Sequence, residues 1–213
     1  FNMAIKLGVG TVQFGLNYGV SNTKGQTKAS EVSKILELAR RSHIGVLDTA
    51  ASYGESEAVL GQNAAIANAF RIITKTNATC AAEVVSQFSR SLERLKQSSV
   101  DGLLVHHCKF LLGPDGPAIF RELQKLKEQG LVKKIGASTY YPEEVDVLLE
   151  KFDIDLIQVP INVLDQRLLL TGRLDRLKQR GIEVHARSAF LQGLLLMPVE
   201  ALPKKFAPIH EAI

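Results

Sequence analysis

Seven short apolar runs recur along the chain and limit its fold more than any other feature: KLGVGTVQFG, GVLDT, RIITKT, DGLLVHH, KKIGAST, DLIQVPIN and IEVHARS. A strand with one face in water alternates apolar and polar residues, whereas a parallel strand covered on both faces is apolar throughout. The runs therefore predict buried parallel strands. Between them lie amphipathic stretches with helix punctuation. Residues 30–42 carry Val32, Ile35, Leu36 and Ala39 on one face behind Ser30 as the expected N-cap. Residues 81–97 repeat this with Val84, Val85, Phe88, Leu92 and Leu95. Segment 117–130 opens with Pro117 and stops at Gly130, 142–151 opens with Pro142, and 166–180 stops at Gly181.

Strand-then-helix units in series build either a doubly wound sheet or a (β/α)8 TIM barrel. A doubly wound nucleotide fold places G-x-G-x-x-G between its first strand and helix, but Gly8, Gly10 and Gly15 have another spacing. The expected class is thus α/β, a (β/α)8 TIM barrel, in a single domain over residues 1–213, since no low-complexity linker divides the chain. After IEVHARS the sequence runs LQGLLLMPVEALPKKFAPIHEAI without an eighth apolar run. The barrel is accordingly read as truncated before its last strand and helix. Phe1 and Asn2, ahead of Met3, are read as foreign to the natural start.

Composition excludes several function classes. At 46% hydrophobic and 23% charged the chain is neither disordered nor collagen-like. No apolar run is long enough to span a bilayer and no secretion signal is visible, so a cytoplasmic location away from membranes is expected. The formal charge is +4, but the basic residues are dispersed among acids, which argues against nucleic acid as a partner while suiting a small phosphate-bearing ligand. Cys80 and Cys108 read as free thiols, and no metal site is expected.

In a parallel barrel the C-terminal strand ends surround one pocket, so residues there meet however far apart they lie in sequence. The second run ends in Asp48 with Tyr53 just beyond, the third in Lys75, the fourth in His106 and His107, the fifth in Ser138, the sixth near Gln158, and the seventh in Arg187 and Ser188. Singly, Asp48 could be a cap, Lys75 its salt-bridge partner and His106 a core histidine. Together they describe carbonyl reduction, because buried polar groups converging without function carry a heavy desolvation cost. Asp48 anchors the Lys75 ammonium, Lys75 is expected to lower the pKa of Tyr53, Tyr53 gives the proton, and His106 donates a hydrogen bond to the carbonyl oxygen. Side chains cannot deliver hydride, so a nicotinamide cofactor is implied.

DTAASYGESEAVLG resembles the D-T-A-x-x-Y-G-x-S-E-x-x-L-G motif of the aldo-keto reductase family. The lysine of IITKT, VDGLLVHH beside I-D-L-x-L-I-H-x, and KKIGAST beside I-G-V-S-N extend the resemblance over nearly the whole chain. It implies Asp48, Tyr53, Lys75 and His106 as the catalytic four, the same residues that the chemistry selects. It also implies cofactor contacts: Gly10 and Thr11 with Asp48 near the nicotinamide, Ser138 and Gln158 on its carboxamide, and Ser188 through Gly193, including Phe190 and Leu191, over the pyrophosphate. Arg187 stands where many members place an aromatic ring against the nicotinamide, and a guanidinium plane can stack there or pair with a phosphate. The resemblance implies NADPH as cofactor, with NADH left open, and an aldehyde or ketone as small-molecule substrate. Gln13, Tyr18 and His107 are the expected substrate-pocket residues. Two other readings stand beside this one: a non-catalytic nicotinamide-nucleotide-binding regulatory subunit, and an aldolase using Lys75 as a Schiff-base amine.

Overall fold

A computed structural model of the protein describes residues 6–204 and 206. Phe1 and Asn2 lie outside the described residues. The elements run β1 (Gly8–Gly10), α1 (Val12–Gly15), α2 (Ala29–Arg41), β2 (Val46–Asp48), α3 (Ser56–Gln62), α4 (Ala64–Ala67), β3 (Arg71–Thr76), α5 (Ala81–Leu95) and β4 (Val100–Val105). They continue with α6 (Lys109–Leu112), α7 (Gly116–Glu128), β5 (Val132–Ser138), α8 (Pro142–Lys151), β6 (Leu156–Pro160), α9 (Arg167–Leu170), α10 (Arg173–Gln179) and β7 (Glu183–Arg187). Two 3-10 turns, Leu191–Leu196 and Val199–Ala201, follow. Among the described residues no helix is long and apolar enough to cross a membrane.

All seven strands lie in one sheet in sequence order, and every pairing is parallel. The sheet is curled. Laid flat, β2 and β6 would stand roughly 19 Å apart at four inter-strand spacings, yet the Gln158 amide of β6 donates to the Asp48 carboxylate of β2 at 2.8 Å. Curling also explains why the runs of β2 to β6 lack polar alternation, whereas β7 alternates Glu183, His185 and Arg187 with Val184 and Ala186. Leu47, Ile72, Leu103, Ile135 and Ile157 face outward and pack beneath Leu36, Phe88, Leu123 and Leu148 of the helices. Val46, Ile73, Leu104 and Leu156 face inward and form a second, separate core inside the curl. Gly102 belongs to that inner layer, where a Cβ would lie 2.7 Å from Ile73 and 2.9 Å from Leu156. The order ends at β1 on one side and β7 on the other, and the backbone N–H of Val20 bonds the Gln192 carbonyl at 3.0 Å across that side.

Local punctuation departs from expectation at four places. The first run contributes three strand residues, because both the amide and the hydroxyl of Thr11 donate to the Asp48 carbonyl, at 2.9 Å each, and the chain then turns helical at Val12. Ser30 is not an N-cap; Lys28 holds that position, and the Lys28 carbonyl accepts from Glu31 and Val32. Val85 is 45% exposed, since one residue step turns it about 100° away from the buried Val84, Phe88, Leu95 face. Segment 166–180 is two helices, interrupted where Thr171 bonds back to the Arg167 carbonyl at 2.7 Å and Gly172 adopts φ +70.

The inward positions at the N-terminal end of the curl carry charge. Glu183 of β7 accepts from Arg71 of β3 at 3.0 Å, from Lys134 of β5, and contacts the His185 ring at 2.7 Å. Burial by itself would raise its pKa, but these three partners outweigh it and hold the carboxyl at about 2. The folded protein therefore binds this proton less tightly than the unfolded chain does, so the cluster stabilises the fold above the ordinary value of 4.5. That contribution is lost as pH falls from there towards about 2. Urea titrations across this window should show wild-type stability declining with acid, while E183Q starts lower at neutral pH and declines less. Parallel curves would contradict the linkage.

Candidate active site

The loop after β2 presents Tyr53 because it is clamped from below. Ser56 at the start of α3 is fully buried and donates to the Thr11 carbonyl at 2.9 Å, with Thr49 3.1 Å away. Glu57 beside it accepts from Thr74 at 2.6 Å and lies 3.1 Å from the Arg94 guanidinium. Gly15 completes the clamp, since a Cβ there would sit 1.8 Å from the Tyr53 carbonyl oxygen. The α1 turn can approach the Tyr53 loop this closely only without a side chain.

The four expected catalytic residues converge. Lys75, 1% exposed, rises inward from β3 and donates to both Asp48 carboxylate oxygens at 2.8 Å, to the Thr49 carbonyl at 2.9 Å and to the Tyr53 hydroxyl at 3.4 Å. His106 follows directly after β4, 5.7 Å from the Tyr53 ring in an edge arrangement, with Ser52 Oγ 3.0 Å from its Nδ1. Burial, the Lys75 charge and His107 push the His106 pKa down to about 4, so the ring is neutral at pH 7 and offers a single N–H. Every ammonium hydrogen of Lys75 has an acceptor, and a carboxylate grips it with both oxygens. The Asp48 contact opposes the free amine a Schiff base requires, while burial favours it.

One electrostatic expectation is overturned. Lys75 does not acidify Tyr53. Burial and the Asp48 charge raise the phenol above its usual value, and the opposing influence comes from Arg187. The main reason is burial, which disfavours the phenolate more than the nearby positive charge offsets. Burial also lowers the Lys75 pKa, against the pull of Asp48.

A cleft of about 590 Å³ opens over this cluster. Gly10, Thr11, Asp48, Ser138, Gln158, Arg187, Ser188, Phe190 and Gly193 line it, as do Gln13 and Tyr18, the Gln13 amide holding the Tyr18 carbonyl at 2.7 Å. Lys75 lies beneath the floor, and Leu191 is not among the lining residues. His107 departs from expectation: it does not line the cleft but is stacked between His106, at 4.9 Å, and Tyr140, at 5.7 Å. Tyr140 does line the cleft, and the Arg187 guanidinium lies 4.2 Å over its ring. Sequence reasoning passed over Tyr140 and Ser52, which sit beyond strand ends with no periodic signal. Ser56 and Glu57 are the Ser-Glu pair of the DTAASYGESEAVLG motif, and the structure shows both buried at the start of α3.

The comparisons with known proteins agree with this arrangement. The family model described as the aldo/keto reductase family matches residues 6–210. D-arabinose 1-dehydrogenase of Saccharomyces cerevisiae is 30% identical over 119 residues, covering 50% of this chain and 36% of that protein. Among solved structures, an aldo-keto reductase from Bacillus halodurans in its holo form superposes with a TM-score of 0.76 at 21% identity, covering 93% of this chain and 66% of that one. An aldo-keto reductase from Bombyx mori in complex with NADP gives 0.67 at 23% identity, covering 85% and 62%. The curled parallel sheet is therefore a fold that solved aldo-keto reductases share, and the family match spans nearly all of the sequence, so the chain belongs to the aldo/keto reductase family.

Proposed function

We propose that the protein is an NADP(H)-dependent oxidoreductase that reduces an aldehyde or ketone to an alcohol, with Tyr53 as the general acid. The observation that carries this reading is the chain of contacts from Asp48 through Lys75 to the Tyr53 hydroxyl at the cleft floor, with His106 alongside. The residues 1–213 are taken as one domain, part of a (β/α)8 barrel, with a small-molecule carbonyl compound as partner.

The cleft fits a nicotinamide dinucleotide. Arg187 Nε is a buried donor with no partner among the described residues. Ser188, Leu191, Gln192 and Gly193 have φ of +57, +46, +59 and +87, and such left-handed residues shape a backbone concavity of the kind that holds anions. In this reading Gly10, Thr11 and Asp48 border the nicotinamide, Ser138 and Gln158 hold its carboxamide, Arg187 stands beside the nicotinamide, and the 188–193 segment, with Phe190 and Leu191, covers the phosphates. When bound, the cofactor supplies a hydride to the carbonyl carbon. NADP is favoured by the Bombyx mori relative, solved in complex with it.

The protein's own groups handle the proton. Lys75 donates to the Tyr53 oxygen, which leaves the phenolic hydrogen free to point into the cleft. With its pKa raised, Tyr53 rests protonated and passes that proton to the carbonyl oxygen only as negative charge builds there. Neutral His106 donates its N–H to the same oxygen, fixing the substrate's orientation and stabilising the developing charge.

The test is to mix the protein with NADPH and a panel of aldehydes, ketones and sugars, and to follow aldehyde-dependent loss of NADPH absorbance. The reverse reaction would be run with D-arabinose, after the name of the yeast relative. Carbonyl-dependent consumption with a stoichiometric alcohol product is expected. Cofactor binding without consumption for any substrate would instead favour a regulatory nucleotide-binding subunit.

A further inference from the structure

Two side chains lining the cleft carry formal charge, Asp48 and Arg187. The Asp48 carboxylate is fully engaged by the Lys75 ammonium and the Gln158 amide. Arg187 forms no ion pair among the described residues. Asp165, whose carboxyl feels the Arg187 charge, is held bidentately by Arg167 at 2.8 and 2.9 Å. One positive charge in the cleft is therefore left without a counter-charge.

That charge is also held in place. The Arg187 Nη2 donates to the Thr139 carbonyl at 2.8 Å, its Nη1 to Ser188 Oγ at 3.3 Å, and its plane lies on the Tyr140 ring at 4.2 Å. Nε is buried without a partner. A guanidinium fixed by neutral groups, partly desolvated and short of an acceptor is organised for an anion rather than for solvent. It also lines the same cleft as Tyr53, Tyr18 and His106.

We infer that the substrate is a carbonyl compound that also bears an anionic group, a carboxylate or a phosphate, seated on Arg187 while the carbonyl oxygen faces Tyr53. This rests on the carbonyl-reduction reading. The same guanidinium chemistry would receive a phosphate of the dinucleotide, so the experiment must separate the two sources of negative charge.

The probes are 4-formylbenzoate and its neutral isostere 4-formylbenzamide, assayed with NADPH. Wild type should favour the carboxylate in kcat/KM by about tenfold or more, the scale of a hydrogen bond to a charged group. R187Q should bring that ratio close to one. No preference in wild type would overturn the inference, and so would an R187Q protein that loses activity on both aldehydes in parallel with its ratio intact, which would assign the charge to the cofactor. A second measurement stands apart from turnover: calorimetric titration of wild type and R187Q with benzoate and benzamide in the presence of NADP. Tighter binding of benzoate to wild type, lost in R187Q and weakened by salt, would support the anion site even if no aldehyde were reduced. Equal binding of benzoate and benzamide to wild type would refute it whether or not the protein is a reductase.

Discussion

Replacing Tyr53 by Phe should reduce kcat by about a hundredfold to ten-thousandfold, the range attributed to a positioned general acid. The substitution removes one oxygen from a cluster that otherwise keeps its geometry. Lys75 retains Asp48 and the Thr49 carbonyl, and the loop retains the Ser56 and Gly15 contacts that hold it. NADPH affinity, read by fluorescence titration, should stay within about threefold, because a residue that acts in the transition state contributes little to ground-state binding. Wild-type turnover in Y53F would remove the phenol from the mechanism. Turnover and cofactor affinity falling together would assign Tyr53 a binding role instead.

The second large effect is on stability. Lys75→Met replaces a 1% exposed ammonium by an apolar side chain of similar length and strands the Asp48 carboxylate, itself 20% exposed, over the inner core. Removing one partner of a buried pair typically costs about 3–5 kcal/mol. The residual exposure of Asp48 and its bond from Gln158 place this site at the lower end. Urea unfolding should show the loss directly. Asp48→Asn in the K75M background should restore part of it, since no charge then remains to be desolvated, and the double-mutant cycle isolates the pair. A K75M protein within about 1 kcal/mol of wild type would show that the pair contributes little to folding, below the range expected for such sites. Activity should be lost in both variants, because Tyr53 then has no ammonium beside its oxygen.

Much of the architecture was open to inspection in the sequence. The unalternating runs at 46–48, 71–76, 100–105, 132–138 and 156–160 are parallel strands, because burial on both faces leaves a signature that a half-exposed strand cannot imitate; 183–187 is a parallel strand too, but it alternates Glu183, His185 and Arg187 with Val184 and Ala186 and has no buried residue. Pro142 and Gly181 mark a helix start and stop where expected. Asp48, Lys75 and His106 could be placed together for a topological reason: strand ends in a parallel curl share one mouth, so position along each run predicts position in space.

What the sequence left undetermined depends on distances between residues remote in the chain. His107 has the composition of a pocket residue, and only the stacking of its ring between His106 and Tyr140 turns it away from the cleft. The sign of the Tyr53 shift likewise depends on how deeply the phenol is buried beside Asp48, which no spacing rule contains. Arg187 is one of many arginines in the sequence; that it forms no ion pair among the described residues emerges only once the strands are assembled. Residue type and periodicity determined which strands form and which groups gather at their ends, because hydrophobic burial is written locally. Electrostatics at the site was decided by the tertiary structure alone, because Coulomb energies vary with separation and surrounding dielectric, and both are properties of the packed chain.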